Sequence, residues 1–226
     1  MNLWADFLNN QGRQIHKWTH YFPIYERHLN PLVNRTVTFI EIGVSKGGSL
    51  QLWKRYLGPF ARIIGLDIDP ACKAVEEEQI SVRIGDQSDA QFLQSVFEEF
   101  GLPDAVVDDG SHIMSHIASS FEFFYPRMDK NGVYLVEDLH TAYWDEYGGG
   151  LRRPESFIER SKSLIDDLNA DHTRGAVPAS AFSKTTHSMH FYDSVVVFER
   201  GQHIRKYAPT TGESGGAWAN WVPLRK

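Results

Sequence analysis

Cysteine is nearly absent. Cys72 is the one thiol in 226 residues, so the chain makes no internal disulfide and builds no thiolate metal site from its own residues. No apolar run reaches the length of a membrane span, and residues 1–30 carry charges throughout, which predicts neither a spanning helix nor a secretory signal. Internal repeats, low-complexity tracts and linker-like stretches are also missing. So are the two established phosphate fingerprints, G-x-G-x-x-G and a glycine loop ending in Lys-Ser/Thr. Positive charge is not in excess: the net of −6 argues against a broad nucleic-acid surface. With 42% hydrophobic and 23% charged residues, the expectation is a soluble cytoplasmic protein of one large or two small domains, with no membrane or nucleic-acid partner.

The acidic residues are concentrated. Between Asp67 and Glu146 stand 18 acidic and 4 basic side chains, a net of −14, which leaves +8 for the rest. Glu76, Glu77 and Glu78 read as a solvated face, but other carboxylates stand where apolar strands stop. The periodicity predicts strands at Thr38–Ile42, Arg62–Leu66, Ile80–Ile84, Ala105–Val107 and Val133–Val136. Between them it predicts helices from about Leu50 to Leu57, Pro70 to Glu78, Ala90 to Phe100 and Ile113 to Tyr125. A further helix is expected over about Pro154–Asn169, a loop over Asp171–Lys184, and a hairpin over His187–Arg200 divided near Asp193-Ser194. Five alternating units imply a mostly parallel, doubly wound sheet, to which the hairpin adds antiparallel strands for a total of seven. One domain is expected: a cap segment at 1–35, a core at 36–200 with a lid insertion near 140–185, and a tail at 201–226.

Three features carry chemistry. Glu41-Ile42-Gly43-Val44-Ser45-Lys46-Gly47-Gly48-Ser49 sits at the first strand-to-helix crossover, where glycines let backbone approach a ligand. The bland reading is a generic tight turn, yet Asp67 lies 20 residues past Gly47 at the end of the second strand, where a ribose-binding carboxylate belongs. NAD would use the same carboxylate. Next, Asp109 and Glu137-Asp138 end two strands expected to be neighbours. Three carboxylates together are costly unless solvated, protonated or neutralised by a cation. Hard oxygen ligands suit Mg²⁺, with Mn²⁺ as the alternative. Finally, His112 begins the next helix and is placed to accept a proton from a metal-bound hydroxyl. A competing zinc or iron site would pair His112 with His116 and Asp109, but leaves Glu137 and Asp138 unexplained.

The E-x-G-x-x-x-G-G crossover resembles motif I of class I S-adenosylmethionine methyltransferases, and Gly85-Asp86-Gln87 resembles their adenine-binding turn, although a helix-leading turn explains Asp86 equally well. A more specific resemblance lies in Val106-Val107-Asp108-Asp109-Gly110-Ser111-His112 and in Tyr134-Leu135-Val136-Glu137-Asp138-Leu139-His140-Thr141-Ala142-Tyr143-Trp144. These look like the metal-dependent deoxysugar O-methyltransferases of macrolide biosynthesis, the mycinamicin and macrocin type. The likeness runs from about Lys17 to Arg200 and includes Lys17–Tyr25, Gly148-Gly149-Gly150 and His190–Ser194. Catechol O-methyltransferases are similar in logic but carry a lysine in the base position, which Ser111 and His112 do not reproduce.

This resemblance implies a Rossmann-like α/β fold and methyl transfer from S-adenosylmethionine to a sugar hydroxyl of a small-molecule glycoside. It implies metal ligands at Asp109, Glu137 and Asp138 and a base at His112. Cofactor contacts are implied at Glu41, Gly43, Ser45, Gly47, Ser49, Asp67, Asp86, Gln87 and Asp108, and a sugar site at His140, Tyr143 and Trp144. The macrolide enzymes carry an additional N-terminal domain that contributes to their assembly, for which this chain has no room; a homo-oligomer stays among the expectations. The rivals are an NAD-dependent oxidoreductase, which would want a dinucleotide fingerprint, and a non-catalytic binding module, which would not need the Asp109/His112/Glu137/Asp138 set.

Overall fold

A computed structural model describes residues 2–202, 204, 206–209 and 212, so most of the expected tail at 201–226 lies outside the described residues. After helices α1 (Leu3–Leu8) and α2 (Phe22–Leu29), the chain alternates β1 (Val37–Ile42), α3 (Gly48–Leu57), β2 (Ala61–Asp67), β3 (Ile80–Ile84), α4 (Ala90–Phe100), β4 (Ala105–Asp108), α5 (Met114–Phe124) and β5 (Val133–Val136). It ends with α6 (Phe157–Leu168), α7 (Ala181–Thr185), β6 (Thr186–Tyr192) and β7 (Val195–Arg200). The seven strands form one sheet in the order β3-β2-β1-β4-β5-β7-β6, with β1 to β5 parallel and β7 antiparallel to both its neighbours. No described helix is long and apolar enough to cross a membrane.

Alternation along each strand divides the core between the two faces. Phe39, Ile63 and Val107 join the cluster under α2 and α3, while Ile40, Ile64 and Val106 join the one under α4, α5 and α6. The pairing is level at the carboxyl edge: Ile42 stands opposite Leu66 and Asp108, and Asp108 opposite Val136. The order reverses between β1 and β4, so the crevice for a ligand opens there. Residues 43, 67, 109 and 137–138 therefore arrive at one edge.

Four expectations change. The segment at 1–35 is a wall of the core and not an appended cap, because Leu3, Tyr21, Phe22, Tyr25 and Leu29 are fully buried against the sheet and α3. The helix expected over Pro70–Glu78 is a 3₁₀ turn, Pro70–Val75, capped by Asp69. Within the expected loop at 171–184, α7 forms on a reciprocal cap between Ser180 and Ser183; serine in place of the usual Glu/Gln three residues on hides that signal. α6 begins at Phe157 behind a Ser156 cap, and Phe157 is buried against Phe121 and Phe198. That helix is core, and between it and β5 lie the 3₁₀ turns at Leu139–Tyr143 and Asp145–Tyr147 and the glycine stretch after them.

Candidate active site

The first side of the site is built from backbone. Gly43 has φ +93°, and a Cβ there would fall 2.0 Å from the Asp109 carbonyl oxygen, so the β1 turn and the end of β4 touch as only glycine allows. Gly47, also left-handed, caps α3. One carboxylate organises the turn: Asp67 accepts from the backbone N–H of Val44 (2.7 Å), Ser45 (3.1 Å) and Asp69 (2.9 Å). Burial alone would raise Asp67, but these donors outweigh it and hold the carboxyl below its usual value. Two cavities of about 450 and 310 Å³ meet here and share Gly43, Asp67 and Gly110. Ser45, Ser49, Lys17, Asp109, His112 and Asp138 line the larger. The smaller is mostly apolar, with Ile42, Leu66, Ile68 and Ile113 beside Asp86 and Gln87.

Two expected cofactor contacts lie beneath this cleft and not in it. Glu41 is fully buried and accepts from Ser49 Oγ (2.6 Å) and Trp53 Nε1 (3.0 Å). Asp108 is equally buried, accepting from Gln87 Nε2 (3.0 Å), Tyr134 OH (3.0 Å) and Ser120 Oγ. Period-two alternation explains both, since Glu41 shares the face of Phe39 and Asp108 that of Val106. Gln87 then carries order outward, because its Oε1 accepts from the Ser111 N–H at 2.7 Å. Asp86 accepts from the N–H and hydroxyl of Ser88, a turn-forming role, while still bordering the smaller cavity.

The second side is built from side chains. Asp109 follows β4, and Glu137 and Asp138 follow β5. Asp138 (φ +54°) and His112 (φ +59°) are both left-handed, a cost of order 1–3 kcal/mol each that needs support from their surroundings. For Asp138 that support comes from the N-terminal segment, which also holds its neighbouring carboxylates. Tyr21 OH donates to Asp138 Oδ1 at 2.6 Å, Tyr25 OH to Glu137 Oε1 at 2.7 Å, and Lys17 Nζ to Asp109 Oδ2 at 2.5 Å and Glu137 Oε2 at 2.9 Å. Burial alone would lower Lys17, but Asp109 and Glu137 hold its ammonium well above the usual value. Burial pushes the Glu137 carboxyl up, and the Lys17 ammonium opposes the shift.

These partners take one oxygen each of Asp109 and Asp138 and both of Glu137. Among the described residues no hydrogen bond reaches Asp109 Oδ1 or Asp138 Oδ2; His112 Nε2 stands 3.9 and 3.7 Å from them, beyond hydrogen-bond range. The three groups present ligand atoms within 4.8 Å of one another and are partly open to the larger cavity. Two hard oxygens beside open volume fit a Mg²⁺ or Mn²⁺ ion that keeps several waters. Of the three expected ligands, then, the structure brings Asp109 and Asp138 to the cavity and places Glu137 behind them. His116 does not join His112: its Nδ1 meets Ser111 Oγ at 3.1 Å, so the competing two-histidine site is not assembled.

The expected sugar contacts separate. His140 packs between Trp18 and Trp144, with ring centroids at 5.9 and 5.0 Å, and Trp144 leads through Tyr147 to His112. Tyr143, half exposed, lines another cavity of about 360 Å³ beside Phe191, which His140 also borders. Sequence reasoning missed Lys17, Trp18, Tyr21 and Tyr25 as site residues. They fall inside the Lys17–Tyr25 stretch that carries the resemblance, but no spacing rule links Lys17, Tyr21 and Tyr25 to carboxylates some 92 to 120 positions away.

No protein-family model matches the chain. Among curated proteins it is 36% identical to the 8-demethyl-8-alpha-L-rhamnosyl tetracenomycin-C 2'-O-methyltransferase of Streptomyces olivaceus, over 80% of this chain and 50% of that protein. It is 34% identical to the demethylmacrocin O-methyltransferase of Streptomyces fradiae, over 98% of this chain and 55% of that one. Among solved structures it superposes on the MycE methyltransferase of the mycinamycin biosynthetic pathway, in complex with Mg and SAH, with a TM-score of 0.79 and 32% identity, over 92% of this chain and 56% of that chain. The chain thus spans about half the length of the curated relatives it matches. In sequence and in its Rossmann-like α/β fold, the chain is similar to the demethylmacrocin O-methyltransferase and to the MycE methyltransferase of the mycinamycin pathway.

Proposed function

We propose that the chain is an O-methyltransferase that moves the methyl group of S-adenosylmethionine to a sugar hydroxyl of a small-molecule glycoside, with Mg²⁺ as cofactor. The observation that carries the reading is the meeting of two sites in one cleft: the Asp67-organised glycine turn opens into the same cavity as His112, Asp109 and Asp138. Core and N-terminal segment act as a single catalytic unit.

In this reading Gly43–Gly47 would hold the cofactor's amino-acid end, Asp67 its ribose, and the apolar cavity beside Asp86 and Gln87 its adenine. Asp109 and Asp138 would hold the ion, with Glu137 supporting them from behind. When bound there, the ion would supply positive charge to offset the negative charge developing on the sugar oxygen. His112 Nε2, facing both carboxylates, accepts the hydroxyl proton. Lys17, Tyr21 and Tyr25 keep the carboxylates from turning and so fix where that oxygen sits, which matters for an in-line displacement. The Trp18–His140–Trp144–Tyr147 rim offers aromatic faces to the sugar and shields the cleft mouth.

Calorimetric titration with S-adenosylmethionine and with NAD tests the cofactor. Binding of the former, weakened in Asp67→Ala with metal affinity kept, supports the reading; binding of NAD in its place contradicts it.

A further inference from the structure

A second group of ligating side chains lies away from the cleft, on the sheet face covered by α2. In the β6–β7 ladder Ser188 stands opposite Glu199 and His190 is two residues along, so all three project from one face. α2 lays the buried His28 over them. His28 Nδ1 is 2.7 Å from Glu199 Oε1, and His190 Nε2 is 3.3 Å from Glu199 Oε2. The three residues present ligand atoms within 4.8 Å of one another.

The geometry points to a transition-metal site at His28, His190 and Glu199, of the two-histidine, one-carboxylate kind that binds Zn²⁺. Ligand atoms around a tetrahedral zinc stand about 3–3.5 Å apart, so the cluster, within 4.8 Å, would draw together to close on an ion. His28 Nδ1 donates the ring proton to the Glu199 carboxylate, and Nε2 meets Tyr192 OH at 2.9 Å; on ion binding at Nδ1 the proton would move to Nε2, where Tyr192 OH would accept it and orient the ring. His190 and Glu199 are 25% and 30% exposed, which gives the ion an entry path and a water its fourth position. Two nitrogens and one carboxylate select zinc over the oxygen-seeking Mg²⁺ of the cleft. The site joins α2 to the terminal hairpin one helical turn from Tyr25, so its ion staples the helix that holds Glu137.

The test is zinc uptake by the full chain, stripped with chelator and titrated against a chromogenic zinc chelator in a His112→Ala background that silences the cleft. One equivalent of Zn²⁺ is expected, unaffected by excess Mg²⁺. Its affinity should fall at least about 100-fold in His190→Ala and in Glu199→Gln, and zinc should raise the Tm only where the three ligands are intact. Circular dichroism checks that both variants, altered at partly exposed positions, are folded. No zinc uptake, or uptake unchanged in His190→Ala, overturns the assignment whatever reaction the cleft performs.

Discussion

Where β1 and β2 end, the cleft is made of backbone: a left-handed glycine turn and one aspartate gathering three amides. Where β4 and β5 end, it is made of side chains, three carboxylates held by a lysine and two tyrosines from the far N-terminal segment. The hydrogen bonds of the first side are made within 27 residues of chain, from Gly43 to Asp69, and Gly43 also packs on the Asp109 carbonyl. The second side depends on the N-terminal segment packing on the sheet. The glycine turn is thus mostly local, and the carboxylate set is a property of the completed fold. Substitutions on one side should spare the other.

The sharpest break is Asp109→Ala, which removes an ion ligand and a partner of Lys17 together. Metal affinity and turnover should fall in parallel, by about 5 kcal/mol or about 10⁴-fold in kcat, while S-adenosylmethionine still binds; calorimetry and steady-state kinetics check both halves of the statement. His112→Ala should lower kcat about 10²–10⁴-fold and erase the rise of kcat with pH, with metal and cofactor affinity near normal. If His140→Ala removes that limb and His112→Ala preserves it, the base is misassigned.

Lys17→Met sharpens the comparison from the stability side. It leaves the buried Glu137 without its cation, so denaturant unfolding should show a loss of about 3–5 kcal/mol. A loss below about 1 kcal/mol would mean that the carboxylates do not depend on the N-terminal segment. The smallest effect belongs to the local side. Asp67→Ala should cost about 1–2 kcal/mol and about tenfold in cofactor affinity. Because the folded Asp67 carboxyl lies below its unfolded value of 3.8, its contribution is complete above that pH and is lost as pH falls through the lower folded value. The stability gap between wild type and Asp67→Ala should therefore be widest near neutrality and close in acid.

The same division explains what could be read in advance. β3, α4 and β5 appear within the bounds that periodicity assigns, since each is strongly patterned and stopped by glycine, aspartate or glutamate. Gly43, Asp67 and the strand-end placement of Asp109 and Glu137-Asp138 follow from one local rule about parallel sheets. Glu41 and Asp108 share the faces of Phe39 and Val106 by strand alternation, and both are buried beneath the cleft. The reach of Lys17, Tyr21 and Tyr25 is not legible in the sequence, because a contact across roughly a hundred residues leaves no mark on local pattern. Nor is the left-handed turn at Asp138, which sends its carboxylate to the cavity and leaves Glu137 behind.

The central claim is that the two sides meet to transfer a methyl group. Its most direct test is transfer from labelled S-adenosylmethionine to a panel of glycosides by chelator-treated protein, before and after Mg²⁺ is restored. The account predicts label on a sugar oxygen only after the metal is returned, and almost none in Asp109→Ala. Full transfer by metal-free protein would contradict it.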